Sequence, residues 1–237
     1  RSYETSYEIV SEWAWILGLT HMTIRNLEYL FKPRSITVVG RGKHASGADV
    51  TVQFNLIEGG FKGPVMPINP NQQSVSGVLA YRDIASLPVT PELAILTTSL
   101  DEAPALIQEL GARGTRAVLL LSRDVLQDHR GARIALLSPD LSQKHADDGE
   151  SLKQKILEAA KPYLLRIMGP DHLGYAVPST HLNASLSCTR PLAGHIALLC
   201  QSAAVMRSVI DWATRRDIGF SHVISVGMRW DVDFGDL

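Results

Sequence analysis

Short aliphatic and β-branched runs alternate with longer segments of mixed polarity along most of the chain. Ser35–Gly40, Gly63–Ile68, Leu93–Thr97, Arg116–Ser122 and Tyr163–Met168 are such runs. Strands this apolar belong in a parallel sheet covered on both faces. Between them, Ala48–Glu58, Asp101–Leu110 and Ser151–Ala160 carry apolar residues at helical spacing. Gly59-Gly60 closes the first helix as a C-cap pair, and Gly111 is expected to stop the second. Shorter helices are expected over Thr23–Phe31, ended by Pro33, and over Tyr81–Ser86, ended by Leu87-Pro88. Right-handed strand–helix–strand crossovers make this a doubly wound, Rossmann-like α/β domain.

The pattern breaks twice. Residues 123–150 are charged and bear histidines, with Gly131, Pro139 and Gly149 as interruptions, and read as an exposed excursion in which Arg133–Leu137 forms a short strand. After a connection over Pro178–Pro191 the alternation restarts: strand Gly194–Cys200, a helix from Gln201 to about Arg216, and strand Gly219–Gly227. Two parallel strands and one helix bury too little to stand alone. The chain therefore reads as an upstream extension (1–21), a Rossmann-like domain (22–180) and the first part of a second α/β domain (181–237).

The first candidate chemistry lies where strand one meets its helix, at Gly40-Arg41-Gly42-Lys43-His44-Ala45-Ser46-Gly47. Glycines let the backbone approach a ligand, and the following helix offers free N–H groups and partial positive charge, a combination suited to phosphate. The spacing is looser than the dinucleotide fingerprint, and a plain strand-to-helix turn is the alternative. An NAD site would want an acidic residue at the exit of strand two. That place holds Ile68-Asn69-Pro70-Asn71, with no carboxylate, which argues against NAD.

Composition narrows the field further. The 237 residues carry a formal net charge of -1 and 20% charged residues, with no basic excess to suggest nucleic acid. Two cysteines, Cys188 and Cys200, have neither disulfide-framework nor metal spacing, so a reducing cytoplasm is the default. The apolar run Trp13–Leu19 is too short to span a bilayer and lacks the marks of a secretory signal. His172, beside Gly169-Pro170, has no assignable base, nucleophile or orienting partner and reads as a satisfied or exposed loop histidine. Asp231, Asp233 and Asp236 read as a solvated helix start rather than a cation site. No catalytic residue and no metal ligand set is assigned.

Several motifs in series are more specific. Leu30-Phe31-Lys32-Pro33-Arg34-Ser35-Ile36, Gly60-Phe61-Lys62-Gly63-Pro64-Val65-Met66-Pro67-Ile68-Asn69-Pro70, Gly169-Pro170 with Leu173-Gly174, and Leu182-Asn183-Ala184-Ser185 resemble the CoA-binding domain of NDP-forming acyl-CoA synthetases. Gln201-Ser202-Ala203-Ala204-Val205, Asp211-Trp212-Ala213 and Asp231-Val232-Asp233-Phe234 resemble the start of the flavodoxin-like, succinyl-CoA-ligase-like domain that follows it. Within that superfamily the phrasing is most similar to the synthetase-like part of bacterial GNAT-type protein lysine acetyltransferases. The resemblance implies a CoA- or acetyl-CoA-binding module that regulates rather than catalyses, with protein substrates met through an acetyltransferase domain absent here. The alternative is a fragment of an NDP-forming acetate or acyl-CoA ligase; a free-standing CoA- or nucleotide-responsive module is a third reading. Homo-oligomerisation is left open.

By the same resemblance the ligand lies over the C-terminal edge of the sheet. Gly40, Arg41, Gly42, Lys43 and Gly47 take its nucleotide end, Ile68, Asn69 and Pro70 form one wall, and Thr97, Thr98 and Ser99 form the other. Gln201 and Ser202 belong to the second domain's share of the site. That arrangement requires the turn to be open and to face the Asn69-Pro70 corner. Three positions depart from the ligase pattern: Asp171 and Met228 stand where asparagine is expected, and Ala203 where glycine is expected.

Overall fold

The computed structural model describes residues 25–40, 47–121 and 139–237, with backbone alone over 139–149. In chain order the first elements are α1 (Glu28–Phe31), β1 (Ile36–Val39), α2 (Ala48–Gly59), β2 (Val65–Ile68), β3 (Ser74–Val75), β4 (Val78–Leu79) and β5 (Leu93–Leu96). They are followed by α3 (Ala103–Arg113), β6 (Ala117–Leu120), α4 (Pro139–Ala160), β7 (Arg166–Met168) and β8 (Gly174–Val177). The last are β9 (Leu182–Ser185), β10 (Ala193–Cys200), α5 (Ala203–Thr214) and β11 (Phe220–Ser225). The expected extension over 1–21 and the strand over 133–137 lie outside the described residues.

The five apolar runs form one parallel sheet in the order β2-β1-β5-β6-β7. Every position of β1, β5 and β6 is buried. Alternate side chains separate into two cores, as the two-residue period of a strand requires. Ile36, Val38, Leu93, Ile95 and Leu119 pack with α2 and the second sheet, whereas Val39, Leu96, Val118 and Leu120 pack with α3 and α4. This is the doubly wound α/β architecture that the alternation of runs implies.

The second sheet has the order β10-β11-β8-β9, with β10 and β11 parallel and the other pairings antiparallel. Here the expectations need correction. Two strands and a helix do not stand alone, as expected, but the sheet is completed by two strands that the sequence reading missed: β8 pairs with β11, and β9 pairs with β8. Both are four residues long and buried throughout; β9 lies inside what reads from sequence as a loop. Helix α2 is wedged between the two sheets: Asn55 Nδ2 donates to the carbonyls of Ser185 and Ser187 at 2.7 and 2.9 Å. Arg190 donates to the carbonyls of Glu58 and Gly59, both at 3.0 Å, and so closes the C-terminal end of that helix. Tyr175, fully buried, donates its hydroxyl to the Leu30 carbonyl.

Three smaller differences have local causes. Gly111 does not stop α3, which continues to Arg113 and ends at Gly114 with φ 104°. A side chain at Gly111 would meet the Tyr163 ring, within 3.0 Å of its Cβ, so that glycine allows close packing. The helix expected over Tyr81–Ser86 is instead a bridge from Tyr81 to Ile68 and an Asp83–Ser86 turn, in which Ser86 N–H donates to Asp83 Oδ1 at 2.8 Å. Helix α4 begins at Pro139, twelve residues before Ser151, and runs through Gly149, which a helix tolerates at a cost of about 1 kcal/mol.

Candidate functional site

The strand order sets the position of the site. From β1 the chain winds to β2 on one side, and β5 then enters on the other side of β1. Ligands of open α/β sheets bind at such a switch point, in the crevice beyond the carboxyl ends of the strands. Gly40 follows β1, Asn69-Pro70 follows β2, and Thr97-Thr98-Ser99 follows β5. The backbone ties them together: Gly40 N–H donates to the Ile68 carbonyl at 3.0 Å, and Thr97 N–H donates to the Val39 carbonyl at 3.1 Å. Gly40, the residue that leaves β1, therefore lies beside Ile68 and the Asn69-Pro70 corner. Asn69 is buried, its Oδ1 accepting from Asn71 N–H at 3.0 Å, while Pro70 is exposed. Thr97 commits its hydroxyl to the Val39 carbonyl at 2.9 Å, and Thr98 is buried. Ser99 gives its carbonyl to Glu102 N–H at 3.2 Å, and no side chain caps α3. Gly47 has φ 67°, a left-handed conformation that suits glycine, and is the residue from which α2 starts. Arg41, Gly42 and Lys43 lie outside the described residues.

One participant escapes the motif reading. Asp49, in the first turn of α2, lies against Gly40: a Cβ there would be 2.8 Å from Asp49 Cβ and 2.9 Å from its Cγ. Its Oδ1 accepts from Val50 N–H at 2.9 Å. A carboxylate is thus held at the helix end expected to receive phosphate. The signal was visible as an acidic residue two positions past Gly47, where a helix dipole attracts it.

Gln201 and Ser202 stand elsewhere, at the carboxyl end of β10, both exposed. Ser202 caps α5, its Oγ accepting from Val205 N–H at 3.3 Å. Ser225 Oγ joins this corner to the loop after β7, donating to the Gln201 carbonyl and accepting from Leu173 N–H, each at 3.4 Å. Met228 N–H donates to the Pro170 carbonyl at 2.9 Å, and Gly227 lies against the carbonyls of Pro170 and Asp171. The three departures from the ligase pattern, Asp171, Ala203 and Met228, therefore fall around one corner of the second sheet.

His172 is buried at the junction between that corner and the first sheet. Its Nδ1 accepts from Gly174 N–H at 2.9 Å, which leaves the proton of the neutral ring on Nε2. Burial pushes its pKa down to about 4, against the smaller opposing pull of the Leu120 and Met168 carbonyls. It is a core histidine rather than an exposed one. The carboxylates of Asp231 and Asp236 also have a structural use: Arg166 binds them at 2.9 and 3.0 Å. No helix forms there, and no cluster of three metal-ligating side chains occurs among the described residues.

Residues 34–178 match the family model of a CoA binding domain. The chain belongs to that CoA-binding family. Residues 193–237 match a succinyl-CoA ligase like flavodoxin domain, which agrees with the second sheet. Among curated relatives, the acetate–CoA ligase (ADP-forming) I subunit alpha of Pyrococcus furiosus is 27% identical over 216 residues, covering 90% of this chain and 43% of the relative. The acetate–CoA ligase (ADP-forming) of Methanocaldococcus jannaschii is 26% identical over 211 residues, covering 89% of this chain and 27% of the relative. Among solved structures, the apo form of the dinucleotide forming acetyl-coenzyme A synthetase 1 of Ca. Korarchaeum cryptofilum superposes with a TM-score of 0.74 at 27% identity, covering 89% of this chain and 42% of that one. This CoA-binding chain spans less than half the length of these relatives. No helix among the described residues is long and apolar enough to cross a membrane.

Proposed function

We propose that the chain is the CoA-binding part of an NDP-forming acyl-CoA ligase, holding CoA or acetyl-CoA at the switch point of the first sheet. The observation that carries this is the junction of Gly40 with Ile68, at the carboxyl edge of a sheet that matches a CoA binding domain. Gly40, Gly42 and Gly47 would let the backbone approach the diphosphate, with Arg41 and Lys43 meeting its charge. Ile68, Asn69 and Pro70 would wall one side of the ligand and Thr97, Thr98 and Ser99 the other. Gln201 and Ser202, at the helix end of the second sheet, would serve a separate step. The relatives named above are ligases and a synthetase, which supports this reading over the lysine acetyltransferase one.

A regulatory role for the same CoA site is favoured by one specific observation. Asp171, Ala203 and Met228 converge on a corner where an acyl-phosphate or phosphoryl group would be handled. A carboxylate at 171 repels such an anion, and neither Ala203 nor Met228 supplies what glycine or asparagine would. CoA binding without ligation is the outcome expected of that pattern, in a ligase relative or in a transferase. The cysteine usage suits a reducing cytoplasm.

Calorimetric titration of the chain with CoA, acetyl-CoA, NAD and ATP tests the assignment. CoA and acetyl-CoA are expected to bind, NAD not to bind, and Gly42→Val to abolish CoA binding. NAD binding in the absence of CoA binding would overturn it.

A further inference from the structure

We propose that Asp49 limits the affinity of the CoA site by keeping its own carboxylate on the helix end that the diphosphate needs. The proposal rests on the CoA reading of the switch point and adds to it a residue that opposes binding. Asp49 is half-buried in the first turn of α2, and its side chain lies over Gly40, the last residue before the turn. Its Oδ1 engages Val50 N–H at 2.9 Å. A helix N-terminus attracts whatever anion is nearest. Here that anion is built into the chain.

A diphosphate approaching the same end meets a like charge and finds one backbone donor already engaged. It must displace the carboxylate or sit further from the helix, and either weakens binding. Asparagine at the same position would still accept from Val50 N–H through its amide oxygen, and it would carry no charge. Asp49→Asn therefore separates the hydrogen bond to Val50 N–H from the repulsion. The two consequences have opposite signs: the free protein loses a favourable charge–dipole contact, while the phosphate-bearing ligand gains affinity. A residue that only supports the fold would lower both.

The experiment compares the full chain with Asp49→Asn and Asp49→Ser by titration with CoA and with pantetheine, which lacks every phosphate. Serine removes the charge with a different side chain and guards against a fault peculiar to the asparagine variant. Both variants are expected to bind CoA more tightly, by roughly three- to tenfold, with the gap narrowing as salt is added. Pantetheine affinity is expected to be unchanged, and the melting temperature of the free protein slightly lower. Unchanged or weaker CoA binding in the folded variants overturns the role of Asp49 and leaves the CoA site standing. An equal gain for pantetheine does the same, since it would mean general loosening. Failure of the unmodified chain and of both variants to bind CoA removes the site itself, and this proposal with it.

Discussion

The two sheets are built from similarly apolar strands, yet they are covered differently. In the first, β5 lies between β1 and β6 with both faces packed, and none of its four residues is more than 1% exposed. In the second, β10 is an edge strand whose Ile196 is 53% exposed, and Val205 on α5 is 51% exposed. Leu93-Ala94-Ile95-Leu96 and Ile196-Ala197-Leu198-Leu199 look alike as text. An apolar run specifies a strand; its neighbours decide how much of it is covered. The proposed function follows the same division: under it, the fully covered sheet would offer a ligand a rigid edge at β1 and β5, whereas the half-covered sheet has a corner stitched together by Ser225.

Substitutions that respond to this difference sharpen the comparison. Leu93→Ala, in the centre of the first sheet, should cost about 2–5 kcal/mol, measured by urea unfolding. A cost below 1 kcal/mol would mean that the parallel sheet is not the stable centre of the molecule. Next in size is a pH effect at the junction. The unfolded chain protonates His172 near 6.5, whereas the folded chain resists protonation until about 4. The stability due to the buried neutral ring is therefore complete above about pH 6.5 and is lost as pH falls through 4, amounting to about 3 kcal/mol. Denaturation at a series of pH values should show this loss, and His172→Asn should flatten it; an unchanged slope in the variant would place the titration elsewhere. The smallest effect is expected at Ile196→Ser, within about 0.5 kcal/mol of the parent protein. A large loss there would show that β10 is covered in solution.

Much of the first unit was legible because burial on two faces leaves a continuous apolar signature, and helices between such runs force parallel pairing. The grouping of Gly40, Ile68, Asn69 and Thr97 comes from the family resemblance rather than from the pattern of the runs, and the strand order β2-β1-β5 puts these residues at one sheet edge. What escaped notice was set by contacts between distant parts of the chain. β8 and β9 are too short to stand out, and they become strands because β8 pairs with β11, β9 pairs with β8, and both are covered in the core beside α2. Gly111 reads as a helix stop from sequence alone, but it answers to Tyr163, 52 positions away by number. His172 looks like a loop histidine because its burial comes from residues on both sheets. Asp49 was in plain view, but its lean onto Gly40 depends on how the turn returns the chain over the end of β1.

The most direct test is amide hydrogen exchange of the full chain with and without saturating CoA. Slower exchange is expected in segments 36–52, 65–71 and 93–99, at the carboxyl edge of the first sheet, with little change over 201–205 and 225–230. Slowing confined to the second sheet's corner, with those three segments unaltered, would contradict a CoA site at the switch point.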